Sequence, residues 1–472
     1  MAQPKKNQNR EFAVVTYLFL FLFIALIAYF IYFMVAKSEN FINSPYNSLQ
    51  NLFSEHVIRG DIETADGHVI AKTQTYKDGT EKRVYPYDNL FAHAVGYSVN
   101  GKAGLENQTN FLLLRSHSSA IEQLVNDIKG QKNQGDTVVT NLNYELQTVA
   151  YDALGNYDGA VIVMEPATGK ILAMVSKPDY NPNNIESDWE EITSGESSVL
   201  FNRATQGKYT PGSVFKICTT LEYYRENNGN VNDYLFDCKS SFTYGLKTIH
   251  CASDKVHGEE DLMLSFANSC NSSYANLSLT LDMDHFQQTC DELLFNDALP
   301  IAFESGKSSF SISGDSSDAM VMETGIGQGK TLVSPLHMLL LVSAIDQDGQ
   351  LMTPYLVDHV ENDEGAVIKE NSPILNSQIF SPEEAKFLQE YMRAVVTDGT
   401  GRKLNDSEYE AYGKTGTAQV SDTTDKTNAW FVGYAKMDGY EDIALAIVVE
   451  DSGSASKYAV PAAKKIFDAY FD

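Results

Sequence analysis

Residues 12–36 are apolar almost without interruption. A helix of that length rises about 37 Å at 1.5 Å per residue, enough to cross a bilayer with some tilt. Large side chains run up to Lys37 with no small-residue cleavage site, so the pattern predicts an uncleaved signal anchor. Lys5, Lys6 and Arg10 fall in the short head, residues 1–11. The positive-inside rule then puts that head in the cytoplasm and the rest of the chain outside, on a single-pass cytoplasmic-membrane protein.

After the anchor, residues 37–135 are polar, with short β-like pieces at 56–59 and 67–71 separated by turns at Asp66-Gly67 and Asp78-Gly79. That is too little apolar material for a large core, and it reads as a small β-rich pedestal. Residues 136–472 carry the main domain. An amphipathic helix is expected at 143–154, and two apolar runs about a Pro/Gly turn at 159–176 predict a β-hairpin. Two more apolar strands are expected at 428–435 and 442–450. Between them the pattern turns helical, at 213–224, 261–268, 332–345 and 381–396, the last opening on a capping box, Ser381 with Glu384, and Pro382 in its first turn. A final helix is expected at 461–470. Strands at both ends with helices between imply an α+β domain: one antiparallel sheet, assembled from both ends and flanked by helices.

Length and charge narrow the classes. At 472 residues the chain exceeds one ordinary core, so two modules are expected. The net charge of -28, with no basic run beyond the head, excludes a nucleic-acid binder. The five cysteines, Cys218, Cys238, Cys251, Cys270 and Cys290, show no C-x-x-C spacing, and there is no H-E-x-x-H run. The sequence therefore supports neither a metal nor another cofactor. Outside the membrane, Cys238 and Cys251 are the pair best placed to bridge, with unpaired buried thiols as the alternative.

Three short motifs carry the chemistry. In Ser213-Val214-Phe215-Lys216, Ser213 follows Thr210-Pro211-Gly212 and opens a helical run, so Lys216 lies one turn on and on the same face. A serine hydroxyl needs a base, and a lysine amine serves only when neutral, a state favoured by burial and by a second cation such as Lys414. In Ser269-Cys270-Asn271 a loop would present a hydroxyl to relay protons and an amide, Asn271, to hold substrate. Lys414-Thr415-Gly416-Thr417 lies on a strand-like run. There Thr415 and Thr417 would bind a carboxylate, Gly416 would leave room for a substrate backbone, and Lys414 would add positive charge from beneath. The N–H groups of Ser213 and Thr417 would form an oxyanion hole. A second S-x-x-K, Ser454 to Lys457, sits in a predicted loop without partner motifs and is read as structural.

With its flanks, Asn202-Arg203-Ala204, Gly325-Ile-Gly-Gln-Gly329, Gly413 through Gln419 and Ala429-Trp430-Phe431-Val432-Gly433-Tyr434, the chain resembles the class B penicillin-binding proteins. Arg59-Gly60-Asp61 and Gly104-Leu105-Glu106 resemble that family's pedestal. The resemblance implies a peptidoglycan D,D-transpeptidase of the penicillin-binding fold. Ser213, Lys216 and Ser269 would be catalytic, and Asn271, Lys414, Thr415, Gly416 and Thr417 would bind substrate. Stem peptides would be substrates, β-lactams would acylate Ser213, and a polytopic glycosyltransferase would be the membrane partner. Cys270 departs from the family's S-D-N form of the second motif.

Competing readings are weaker. Gly325 to Thr331 has three residues where a phosphate loop needs four, and the run is expected instead to pack against the Lys414 strand. No G-x-S-x-G elbow is present. A D,D-carboxypeptidase or β-lactamase using water as acceptor would differ in the fate of the acyl-enzyme. An idle cell-wall scaffold would be expected to lack motif residues, and none is missing.

Overall fold

The structure, a computed structural model, describes residues 8–36, 49–195, 197–405, 407–420 and 426–472. Lys5, Lys6 and the first part of the pedestal stretch, 37–48, lie outside the described residues. Helix α1 (Gln8–Ala36) contains an apolar stretch, Phe12–Met34, long enough to cross a membrane, and none of it is buried against protein. Solvent-facing aromatic and aliphatic side chains all round a helix fit a lipid environment rather than a protein core.

The centre of the large domain is a five-stranded antiparallel sheet. Its strands are β1 (Gly159–Glu165), β2 (Lys170–Lys177), β3 (Glu410–Gln419), β4 (Thr427–Lys436) and β5 (Ile443–Val449), in the order β3-β4-β5-β1-β2. Both ends of the domain contribute, as the hydrophobic pattern predicts. Every residue of β5 is buried, which explains the unbroken run Ile-Ala-Leu-Ala-Ile-Val-Val. Val161, Leu445 and Ile447 point to one side, where they meet α2 (Tyr144–Leu154) and the C-terminal helix. Ile162, Ala446 and Val432 point to the other, into the main core.

Four further helices matter for the site: α3 (Lys216–Glu226), α4 (Asn271–Ser278), α5 (Pro335–Asp346) and α6 (Pro382–Thr397), with α7 (Ala459–Phe471) closing the chain. Helix α5 is buried along its whole length beneath the sheet. It begins at Pro335 rather than 332 because Leu332 and Val333 are held in extended bridges to Ser309 and Tyr209. In α6 both halves of the capping box form: Ser381 Oγ accepts from the Glu384 N–H at 3.2 Å, and the Glu384 carboxylate accepts from the Ser381 N–H at 2.8 Å. The run expected as one helix at 213–224 starts instead as a tight 3-10 turn, Gly212–Phe215, before α3. The five thiols are all buried and free, with the Cys238 and Cys251 sulfurs 3.6 Å apart and unbridged.

The pedestal region is built on a six-stranded sheet in the order Val367–Glu370, Val357–Glu361, Thr137–Thr140, Ile62–Glu63, Val69–Thr75, Glu81–Val84. It draws strands from both sides of residue 135, so the pedestal is hydrogen-bonded into the longer segment. The two pedestal motifs meet in an ion cluster. Arg59 Nε donates to Glu106 Oε2 at 2.7 Å and Arg83 Nε to Glu106 Oε1 at 2.6 Å. Burial pushes the Glu106 carboxyl up, but the charges of Arg59 and Arg83 outweigh it and hold the group below its ordinary value. Removing one member leaves its partners buried and unpaired. Glu106→Ala is therefore expected to cost about 3–5 kcal/mol of stability, read as a lowered apparent Tm of the detergent-solubilised chain.

Candidate active site

Ser213 sits half-buried in the 3-10 turn, packed against the edge strand β3. Two glycines make that approach possible. Gly212 has φ +56°, and a Cβ there would stand 2.8 Å from the Thr417 carbonyl oxygen. On the other side Gly327 has φ +76°, and its Cβ would stand 1.9 Å from the Gly212 carbonyl oxygen. The turn is tied down from both flanks: the Gly212 N–H donates to Gly327 O at 2.9 Å, and Trp430 Nε1 donates to Thr210 O at 3.2 Å. Where the sequence suggested packing on the Lys414 strand, Gly327 packs on the serine's turn, while Gly325 lies against Ser278 of α4. Gly416 also differs from expectation. A Cβ on it would meet Pro211 O and Val214 Cγ1, each at 3.0 Å, so the space it leaves is filled by the serine's turn and not kept for substrate.

The second motif joins the short helix Leu262–Ala267 to α4, with Ser269 at φ +58° in the left-handed region. That conformation is costly for a residue with a Cβ and turns the chain sharply at this point. Lys216 Nζ, one turn on from Ser213, donates to Ser269 O at 2.8 Å and to Asn271 Oδ1 at 2.9 Å, and lies 3.4 Å from Ser269 Oγ. Lys414 Nζ reaches the same hydroxyl at 2.9 Å. Both lysines are wholly buried, over the faces of Tyr274 and Phe266 respectively. Among the described residues neither has a carboxylate partner within ion-pair distance.

Two ammonium groups cannot both persist in such a site. Burial lowers the Lys216 amine to about 8, against the opposing influence of Cys270, Cys251 and Glu260. Lys414 is driven well below the ordinary lysine value by burial and then by the charge of Lys216. The repulsion expected to act on Lys216 thus falls on Lys414. Lys216 at about 8 leaves on the order of a tenth of the amine neutral at pH 7.

The rest of the third motif divides. Thr415 is buried and its hydroxyl lies 2.5 Å from that of Thr400. Thr417 is exposed, and its Oγ1 accepts from the Ala455 N–H at 3.5 Å. Since the Thr417 carbonyl faces Gly212, and both peptide groups of a strand residue point the same way, its N–H also lies on the open edge beside Ser213. Asn271 Nδ2 is anchored on His250 O at 3.0 Å. Thr400, His250, Tyr274 and Phe266 escaped the sequence reading, because only the fold brings them beside the motifs. Arg203 and Tyr209, on the approach to Ser213, both donate to Glu450 Oε1, at 2.8 and 2.7 Å. The second S-x-x-K remains in an exposed loop before α7, as expected. A cleft of about 1030 Å³ lined by His93, Tyr97, Lys102, Phe201 and Glu304 touches none of the residues of the three chemical motifs.

Residues 159–471 match the penicillin binding protein transpeptidase domain, and residues 59–138 match the penicillin binding protein A dimerisation domain. The chain is 29% identical over 422 residues to the peptidoglycan D,D-transpeptidase PbpA of Mycolicibacterium smegmatis, covering 84% of each. Its fold superposes with a TM-score of 0.76 on the D,D-transpeptidase domain of a peptidoglycan glycosyltransferase from Eggerthella lenta, at 28% identity over 87% of this chain and 97% of that one. Penicillin-binding protein A of M. tuberculosis, solved as a ceftriaxone acyl-enzyme, gives 0.79 at 23% identity, covering 90% of this chain and all (100%) of that one. The ordered motifs, the antiparallel sheet and the matched domains together show that the chain belongs to the class B penicillin-binding proteins.

Proposed function

We propose that the chain is a peptidoglycan D,D-transpeptidase acting through a Ser213 acyl-enzyme. The observation that carries this is the convergence of two buried, carboxylate-free amines on one hydroxyl, a single turn from a serine pinned beside a strand edge. Neutral Lys216 takes the proton of Ser213 as its oxygen attacks the carbonyl of the penultimate D-Ala of a stem peptide. The N–H groups of Ser213 and Thr417 receive the developing oxyanion. Ser269, between the two lysines, passes the proton to the departing D-Ala nitrogen. The acceptor amine of a second strand then attacks the ester by the reverse sequence, completing the cross-link.

Substrate contacts follow from exposure. Thr417 presents its hydroxyl for the terminal carboxylate, Thr415 is steadied by Thr400, and Lys414 supplies charge from beneath when it holds the proton. Asn271, fixed on His250, positions the peptide backbone. Gly416 serves by letting the turn approach. A β-lactam mimics D-Ala-D-Ala, and its leaving nitrogen stays tethered, so the acyl-enzyme persists. The apolar α1 would anchor the protein with its N-terminus in the cytoplasm and residues 37–135 as a pedestal below the transpeptidase domain. A polytopic glycosyltransferase binding α1 and the pedestal would supply the strands.

A penicillin should add a single stable adduct to the full chain by intact mass and none to Ser213→Ala; an unlabelled but folded wild type would refute the mechanism. The acylation rate should rise about tenfold per pH unit towards pH 8 and then level off as Lys216 loses its proton, and Lys216→Arg, which cannot deprotonate, should abolish it. Gly327→Ala, by displacing the turn that carries Ser213, should slow acylation on the order of 100-fold, measured with a fluorescent penicillin.

A further inference from the structure

The cleft of about 1030 Å³ that avoids the three chemical motifs lies between a pedestal loop, residues 97–104, and two stretches of the transpeptidase domain, 198–206 and 301–304. That volume is at the upper end of the about 300–1,000 Å³ usual for small-molecule sites, room for several sugar rings rather than one. We propose that this cleft binds the glycan backbone of peptidoglycan, a run of β-1,4-linked N-acetylated amino sugars, and so holds a substrate strand while its stem peptide reaches Ser213. The inference rests on the transpeptidase mechanism above and adds a site for the part of the substrate that does not react.

The lining fits an uncharged, hydroxyl-rich ligand. Its charged side chains are Lys102 and Glu304, one of each sign, so it does not select an anion such as a carboxylate-bearing stem peptide. Burial pushes the His93 imidazole down to about 4, which leaves it neutral near pH 7. Phe201 is 42% exposed, and the half-buried Tyr97 ring is held edge-on by Tyr180 and Trp189, each 5.9 Å away. Aromatic rings set this way can cover the C–H faces of sugars while a few polar groups fix their orientation. Among the described residues the Lys102 ammonium and the Asn107 amide side chain have no hydrogen-bond or ion-pair partner, so both can donate to hydroxyl and acetamido oxygens.

The walls are fixed before any ligand arrives. The pedestal loop closes on itself, the Ala103 N–H donating to Tyr97 O at 3.1 Å. Gly96 and Gly104 flank it at φ +80° and +56°, where a Cβ would stand 2.0 Å from Ala103 O and 2.7 Å from Ala94 O. On the transpeptidase side Gln206 Nε2 donates to Glu304 Oε2 at 2.8 Å, and the Gly306 N–H to Thr205 O at 2.8 Å. A continuous set of hydrogen bonds joins this wall to the nucleophile. Arg203 donates to Ser198 Oγ in the cleft and to Glu450 Oε1, both at 2.8 Å, and the same Glu450 oxygen accepts from Tyr209 at 2.7 Å, four residues before Ser213. The path from Gln206 to Ser213 is at most about 25 Å and a pentapeptide stem extends about 17 Å, so the two are of one scale.

The test is calorimetric binding of a tetramer of β-1,4-linked N-acetylglucosamine to the full detergent-solubilised chain. The tetramer carries the ring and acetamido chemistry of the strand with no stem peptide and no charge. Wild type should bind it, and Phe201→Ala and Asn107→Ala, with circular dichroism unchanged, should each weaken binding on the order of tenfold. A free stem pentapeptide should not displace it. No binding by the folded wild type, binding unaltered in both variants, or displacement by the pentapeptide would overturn the proposal. Penicillin labelling of the same wild-type preparation separates this inference from the mechanism beneath it: labelling without glycan binding strikes the inference alone, and a folded chain that penicillin fails to label strikes both.

Discussion

Two amines with no counter-ion among the described residues, buried around a single hydroxyl, set the terms for the rest of this protein. A carboxylate beside either lysine would hold it protonated; among the described residues none stands at contact distance, so charge in the site is relieved by moving protons. Keeping Lys216 and Lys414 apart by the width of one serine side chain requires three segments, α3, the loop before α4 and strand β3, to be fixed within tenths of an ångström. The helix-covered sheet supplies that rigidity.

The same demand explains the glycines around Ser213. A turn that rides on a strand edge must bring backbone to backbone, and Gly212, Gly327 and Gly416 each remove a Cβ that would hold the two surfaces apart. Chemistry at this serine thus depends on close packing behind it as much as on the groups in front. Buttresses such as Arg203 and Tyr209 on Glu450, or Thr400 on Thr415, extend that packing outwards.

Legibility in the sequence followed physical strength of signal. The unbroken runs of β1, β2, β4 and β5, and the capped helices α2 and α6, were plain because each is long and periodic or carries a cap in its own few residues. Motif residues could be named from order and spacing, and the fold brings Lys216, Ser269, Asn271 and Lys414 together. The strands at 235–261 were missed because each is four residues long and partly exposed. Gly416 and Gly327 were found, but their partners were misjudged: a glycine announces a close approach without saying to what.

The shared sheet has a consequence for how the molecule is made. Thr137–Thr140 leaves the ribosome long before Val357–Glu361, its partner on one side, so that edge stays open until residue 361 has followed. The first-made module cannot finish folding ahead of the second, and the order of assembly is forced to be concurrent rather than domain by domain. A stall in synthesis anywhere in between would leave an unpaired edge strand exposed, a substrate for chaperones and proteases before the three motifs had come together.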